Sequence, residues 1–161
     1  MFCCLTIDLK VIYKGGYNLK ISNENKKIIV DEFEKVFELM NSTKNTREKL
    51  FYFSATYAMV SRILNIEYDP MLVLIHSVLS STYSNMNSFL NNVASNRNTF
   101  YSIPENYFDI IESNFKNITK SIDSNDEPNI YEALKKFSVL AYIFTGNGNY
   151  LYKKGTLKIN I

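Results

Sequence analysis

The chain has 161 residues, 46% hydrophobic and 21% charged, with five Gly and three Pro; this suits one folded domain with a substantial core and excludes a loop-rich or largely disordered chain. Eighteen Lys and Arg against sixteen Asp and Glu leave a net +2, and only three of the cations are Arg, which argues against extensive bidentate recognition of phosphate. Cysteine is confined to the adjacent pair Cys3 and Cys4, which cannot build a disulfide framework, so a reduced, cytoplasmic setting is expected.

Residues 4–14 alternate. Leu5, Ile7, Leu9, Val11 and Tyr13 share one face, and Thr6, Asp8, Lys10 and Lys14 the other, the period-two signature of a half-buried strand. Gly15-Gly16 supplies a turn that tolerates positive φ, and Tyr17, Leu19 and Ile21 resume the alternation, so a β-hairpin is expected over residues 1–22. A helix follows at about 24–41, with Ile29, Phe33, Val36, Phe37 and Met40 on one stripe. Asn45, with Glu48 three residues on, caps a second helix at about 46–66. That helix is apolar nearly all round, which predicts the buried centre of a bundle.

Asp69-Pro70 opens a third helix that runs to about 94. Its later half carries Tyr83, Met86, Phe89, Leu90 and Val93 on one stripe. A fourth helix at about 104–122 presents Phe108, Ile111, Phe115, Ile118 and Ile122. Pro128 opens a fifth, with Ile130, Leu134, Phe137, Leu140, Ala141 and Phe144 inward and Gly146 as its stop. Alternation then returns: Tyr150 and Tyr152 share a face, Lys153-Lys154-Gly155 turns, and Leu157, Ile159 and Ile161 alternate with Lys158. No run approaches the roughly 20 apolar residues that span a bilayer, and no signal peptide is read at the start.

The expected fold is therefore α+β and mostly helical. It is a single domain over 1–161: a five-helix bundle at 23–146 with a small antiparallel sheet built from N- and C-terminal β-hairpins at 1–22 and 147–161. A lone hairpin is marginal in water, so the two are expected to pair on the bundle. Residues 1–21 and 147–161 carry six Lys against Asp8, a net +5, while residues 22–146 carry a net −3. Such a sheet would be a cationic plate on an anionic body.

Catalytic chemistry finds little to work with. His76 is the lone histidine and lies in an apolar helical stretch, where a packed or rim histidine is the plain reading; a general-base role needs a positioned acid and nucleophile. Cys3, Cys4 and one distant His do not have the four-ligand spacing of a zinc site. Asp31, Glu32, Glu34 and Glu38 are interleaved with Lys26, Lys27 and Lys35 and read as a solvated face. Gly146-Asn147-Gly148-Asn149 lacks the Lys-Ser/Thr of a P-loop, and no Ser sits in a Gly-x-Ser-x-Gly elbow. No enzyme and no cofactor are expected.

The layout resembles the small subunit of the archaeal type I-A CRISPR effector complex. The resemblance lies in size, in element order, and in strands such as Leu5 to Tyr13 and Tyr150 to Ile159 beside an aromatic-rich bundle at Phe51 to Leu79. It implies a compact helical protein with an appended β-element, without catalytic residues, packed along the RNA-bearing backbone of an assembly. A protein of an archaeal virus or another mobile element gives the same layout.

Two functions are expected from these features. The first is a non-enzymatic subunit of a nucleic-acid-associated assembly. Lys10, Lys14, Lys20 and Lys158 would attract phosphates of single-stranded nucleic acid, Tyr150 and Tyr152 would stack on bases, and the helices would contact protein. The second is a protein–protein adaptor or inhibitor of viral or mobile-element origin with no nucleic-acid role, for which an apolar groove or an exposed patch at Tyr83, Met86 and Phe89 is expected. Solvated lysines on a sheet edge are the plain alternative for the basic ends. The oligomeric state is left open.

Overall fold

The computed structural model describes residues 19–94 and 107–145. They form α1 (Asn23–Ser42), α2 (Thr46–Leu64), α3 (Pro70–Ala94), α4 (Tyr107–Asp123) and α5 (Glu127–Phe144). The expected α+β architecture is corrected: the described residues form five helices with short connections and contain no strand. Most of both expected hairpins lies at 1–18 and 146–161, outside the described residues.

The stretch that is described, 19–22, shows why alternation misled. Burial does alternate there: Leu19 is buried, Lys20 exposed, Ile21 half-buried and Ser22 exposed. The backbone donors, however, go to side chains. The Lys20 N–H donates to Asp69 Oδ2 at 2.8 Å and the Ser22 N–H to both Glu67 carboxylate oxygens at 2.9 Å. Period-two burial requires only an extended chain on an apolar surface; a sheet also requires a neighbouring backbone to pair with.

The helix starts follow the local sequence. The Ser22 side chain accepts from the Asn25 N–H. Asn45 Oδ1 accepts from the N–H groups of Arg47 and Glu48 at 2.9 and 3.3 Å. The reciprocal half of the expected capping box is relayed: Thr43 Oγ1 donates to Glu48 at 2.6 Å and accepts from the Asn45 N–H at 3.0 Å. Asp69 Oδ1 caps α3 through Met71 and Leu72, and Asp126 caps α5 with Pro128 just inside. Asn125, at φ 55°, takes the left-handed position in the short turn between α4 and α5.

The helices close into a ring in the order α1, α2, α3, α5, α4, each packed against two others. Lys26 meets Asp123 and Phe33 meets Phe115, so α1 and α4 are antiparallel. Arg47 meets Asn91 and Tyr57 meets His76, so α2 and α3 are antiparallel. Thr82 faces Phe137, Asn85 bonds the Ala141 carbonyl, and Phe89 meets Phe144. Both numbers rise together there, so α3 and α5 run parallel.

The ring interior is filled by phenylalanines from four helices. Phe33 lies 4.9 Å from Phe115, Phe115 lies 6.3 Å from Phe53, and Phe53 lies 6.0 Å from Phe137, centroid to centroid. From α3, Leu72, Ile75, Leu79 and Met86 complete the buried core. This corrects the expectation for α2, which is one member of the ring and not its centre. Leu50, Phe53, Val60 and Ile63 are buried, yet Phe51 is 71% exposed.

Candidate protein-docking site at the α2–α3 corner

The link from α2 to α3 alternates between apolar and acidic residues: Ile66, Glu67, Tyr68, Asp69. Its orientation is inverted relative to a normal surface loop. Ile66 and Tyr68 are 75% and 73% exposed, whereas Asp69 is buried at 3%. Asp69 is turned into the fold and half-exposed Glu67 lies along the lead-in to α1, each on backbone donors. Asp69 Oδ1 takes the free N–H groups of Met71 and Leu72 at the start of α3, at 2.7 and 3.1 Å, and its Oδ2 takes that of Lys20. Glu67 takes the Ser22 N–H and the Asn25 side-chain amide, the latter at 2.8 Å. These two hydrogen bonds, the Ser22 one foremost, hold the Glu67 carboxyl below the ordinary carboxylate range.

With both acids committed, the apolar partners of the alternation face solvent. The first turn of α3 extends the patch, with Val73 and Leu74 both partly exposed. From Pro70 to Ala94, α3 carries no Asp, Glu, Lys or Arg. Its outward positions Ser77, Ser81, Ser84 and Ser88 are exposed and neutral. An apolar cap thus continues into an uncharged helical face.

Of the six residues expected to contact nucleic acid, Lys20 is described: it is exposed on the lead-in to α1, beside this corner. Lys10, Lys14, Tyr150, Tyr152 and Lys158 lie outside the described residues, as do Cys3, Cys4 and Gly146–Asn149. The described residues carry twelve cations and fourteen acids, a net −2. The patch expected at Tyr83, Met86 and Phe89 is not exposed: Met86 is buried and the other two are half-buried against the core.

His76 is half-buried at the α2–α3 seam with its ring edge-on to Tyr57, 6.1 Å away. Tyr57 also contacts Tyr83, and burial, with a smaller effect of Tyr83, pushes its phenol up. The His76 ring thus packs on the Tyr57 ring, which in turn packs on Tyr83. Among the described residues no cluster of His, Cys, Asp and Glu could hold a metal ion, and no helix is long and apolar enough to cross a membrane. A cleft of about 340 Å³ between α4 and α5 is lined by Lys120 and Lys136 but also by Asp126 and Glu132. Its mixed charge favours neither anion nor cation.

Sequence reasoning passed over Ile66 and Tyr68. The expected second helix ends at Ile66; the available signal was two large apolar residues, each next to an acid, just ahead of the Asp69-Pro70 helix start. Comparison of the chain with profiles of known protein families, with curated proteins and with solved structures returns no match.

Proposed function

We propose that this protein is a non-catalytic protein-binding module that docks a partner at the α2–α3 corner. The observation that carries this reading is the inverted link: Ile66 and Tyr68 face solvent while Glu67 and Asp69 serve the fold. Large exposed apolar side chains that are rimmed by polar residues mark interaction surfaces, and tyrosine is favoured at binding hot spots. The neutral outward face of α3 extends that surface without adding charge that a partner would have to neutralise.

The test is capture of a partner from the native host, identification, and reconstitution with purified components. Binding is expected to withstand nuclease and to be lost in Ile66→Ser/Tyr68→Ser, whose melting temperature should stay within about 2 °C of wild type because both sites are exposed. Undiminished binding in that variant would overturn the proposal.

The basic ends favour a second reading, association with single-stranded nucleic acid through Lys10, Lys14, Lys20 and Lys158 with Tyr150 and Tyr152. It predicts that RNA or DNA co-purifies with the protein and that Lys10→Glu/Lys20→Glu/Lys158→Glu abolishes binding with the fold intact. Unchanged binding by the triple variant, or no nucleic acid bound by wild type, would sink this second reading.

A further inference from the structure

The patch at the corner has cations at its edge. Lys20 is exposed on the residue whose own N–H bonds Asp69. Arg62 is exposed one turn before Ile66, and the Ile66 N–H bonds the Ile63 carbonyl at 2.9 Å. Neither side chain makes an ion pair or hydrogen bond among the described residues.

The acids of the same corner are in the opposite condition. Glu67 receives the Ser22 N–H and the Asn25 amide; Asp69 receives three backbone N–H groups. Asp69 also sits at the positive end of the α3 dipole, which offsets its charge. Among the described residues, what the corner offers a neighbour is therefore a set of unused donors, three on the Lys20 ammonium and five on the Arg62 guanidinium, while Glu67 and Asp69 are committed to the fold. A docked surface that brought no acceptors would strip water from these cations and leave them unpaired, a cost that selects against it.

Resting on the docking reading above, we propose that the corner takes a short peptide segment of a partner protein. Large apolar residues of that segment cover Ile66, Tyr68 and Leu74, and flanking Asp or Glu side chains pair with Lys20 and Arg62. The apolar centre provides hold and the cationic edge provides selection and orientation. The apolar centre is what favours a peptide over a polyphosphate, which would use the two cations and leave Ile66 and Tyr68 uncovered.

The test is selection of a displayed library of random twelve-residue peptides on the full-length protein, counter-selected on Ile66→Ser/Tyr68→Ser. The expected peptides combine Leu, Phe or Trp with Asp or Glu. Affinity of a selected peptide should fall about tenfold in Lys20→Glu/Arg62→Glu, fall with rising salt, and recover when the peptide's acids are changed to Lys. If no peptide distinguishes wild type from Ile66→Ser/Tyr68→Ser, the docking reading fails and this inference with it. If selected peptides distinguish the two but carry no acids, or if Lys20→Glu/Arg62→Glu binds them equally well, docking stands and the acidic-partner inference is overturned. A twenty-nucleotide oligouridine that binds wild type and is lost in both double variants would also overturn it, assigning the corner to phosphate.

Discussion

Asp69 shows how one side chain can decide a local structure. Its two oxygens serve different elements, Oδ1 the start of α3 and Oδ2 the lead-in to α1. Asp69→Ala removes a cap worth about 1 kcal/mol and strands the Lys20 N–H, for a total loss of about 2–3 kcal/mol. Asp69→Asn keeps one acceptor but turns an amide donor toward the other site, so it should recover the cap portion alone, about 1 kcal/mol. Urea unfolding of the three proteins checks the order. The sequence revealed the cap through Asp69-Pro70, but not the second bond, because the partner lies forty-nine residues away.

Glu67 gives the same corner a pH dependence. Its pKa is lower folded than unfolded, so ionised Glu67 stabilises the fold. That stabilisation is fully present above the ordinary glutamate value of ~4.3 and is lost as pH falls through the lower folded value. Glu67→Gln should therefore be less stable than wild type at pH 7, and the difference should shrink below about pH 4. Denaturation midpoints measured from pH 7 down to pH 3 check this; a gap that stays constant would contradict the assigned cause.

Among elements, the helices were legible because caps and stripes agree. Expected starts at 24, 46 and 70 stand against observed Asn23, Thr46 and Pro70, and the α4 and α5 stripes are buried as read, with Phe108 half-buried. The role of α2 was not legible, since an apolar helix shows its composition but not which neighbours cover which side. Phe51 and Phe53, two residues apart on α2, make the point. Phe53→Ala should cost about 3–5 kcal/mol and Phe51→Ala less than about 0.5, as measured by guanidinium midpoints. The candidate site was legible in its letters and not in its orientation. Whether Ile66-Glu67-Tyr68-Asp69 shows its apolar or its acidic side depends on donors that α1 and the lead-in bring from far along the chain.

For the molecule as a whole, the ring order matters more than the number of helices. No two of the four central phenylalanines come from the same helix, and their ring contacts run from Phe33 through Phe115 and Phe53 to Phe137. Packed interiors transmit such changes, so Phe33→Ala and Phe137→Ala should be non-additive by at least about 0.5 kcal/mol, even though α1 and α5 do not pack against each other. A double-mutant cycle measures it directly. Additivity within error would mean that the two halves of the core are independent.

The position of α5 between α3 and α4 also bears on biosynthesis. A nascent chain that has released α1 to α4 holds four helices in a row, with α3 and α4 at its open ends and the slot for Phe137 unfilled. The helix that closes the ring is the last of the five to leave the ribosome. Cooperative folding must therefore await emergence of the segment through Phe144, and until then the apolar flanks of α3 and α4 that α5 will cover are open to chaperones.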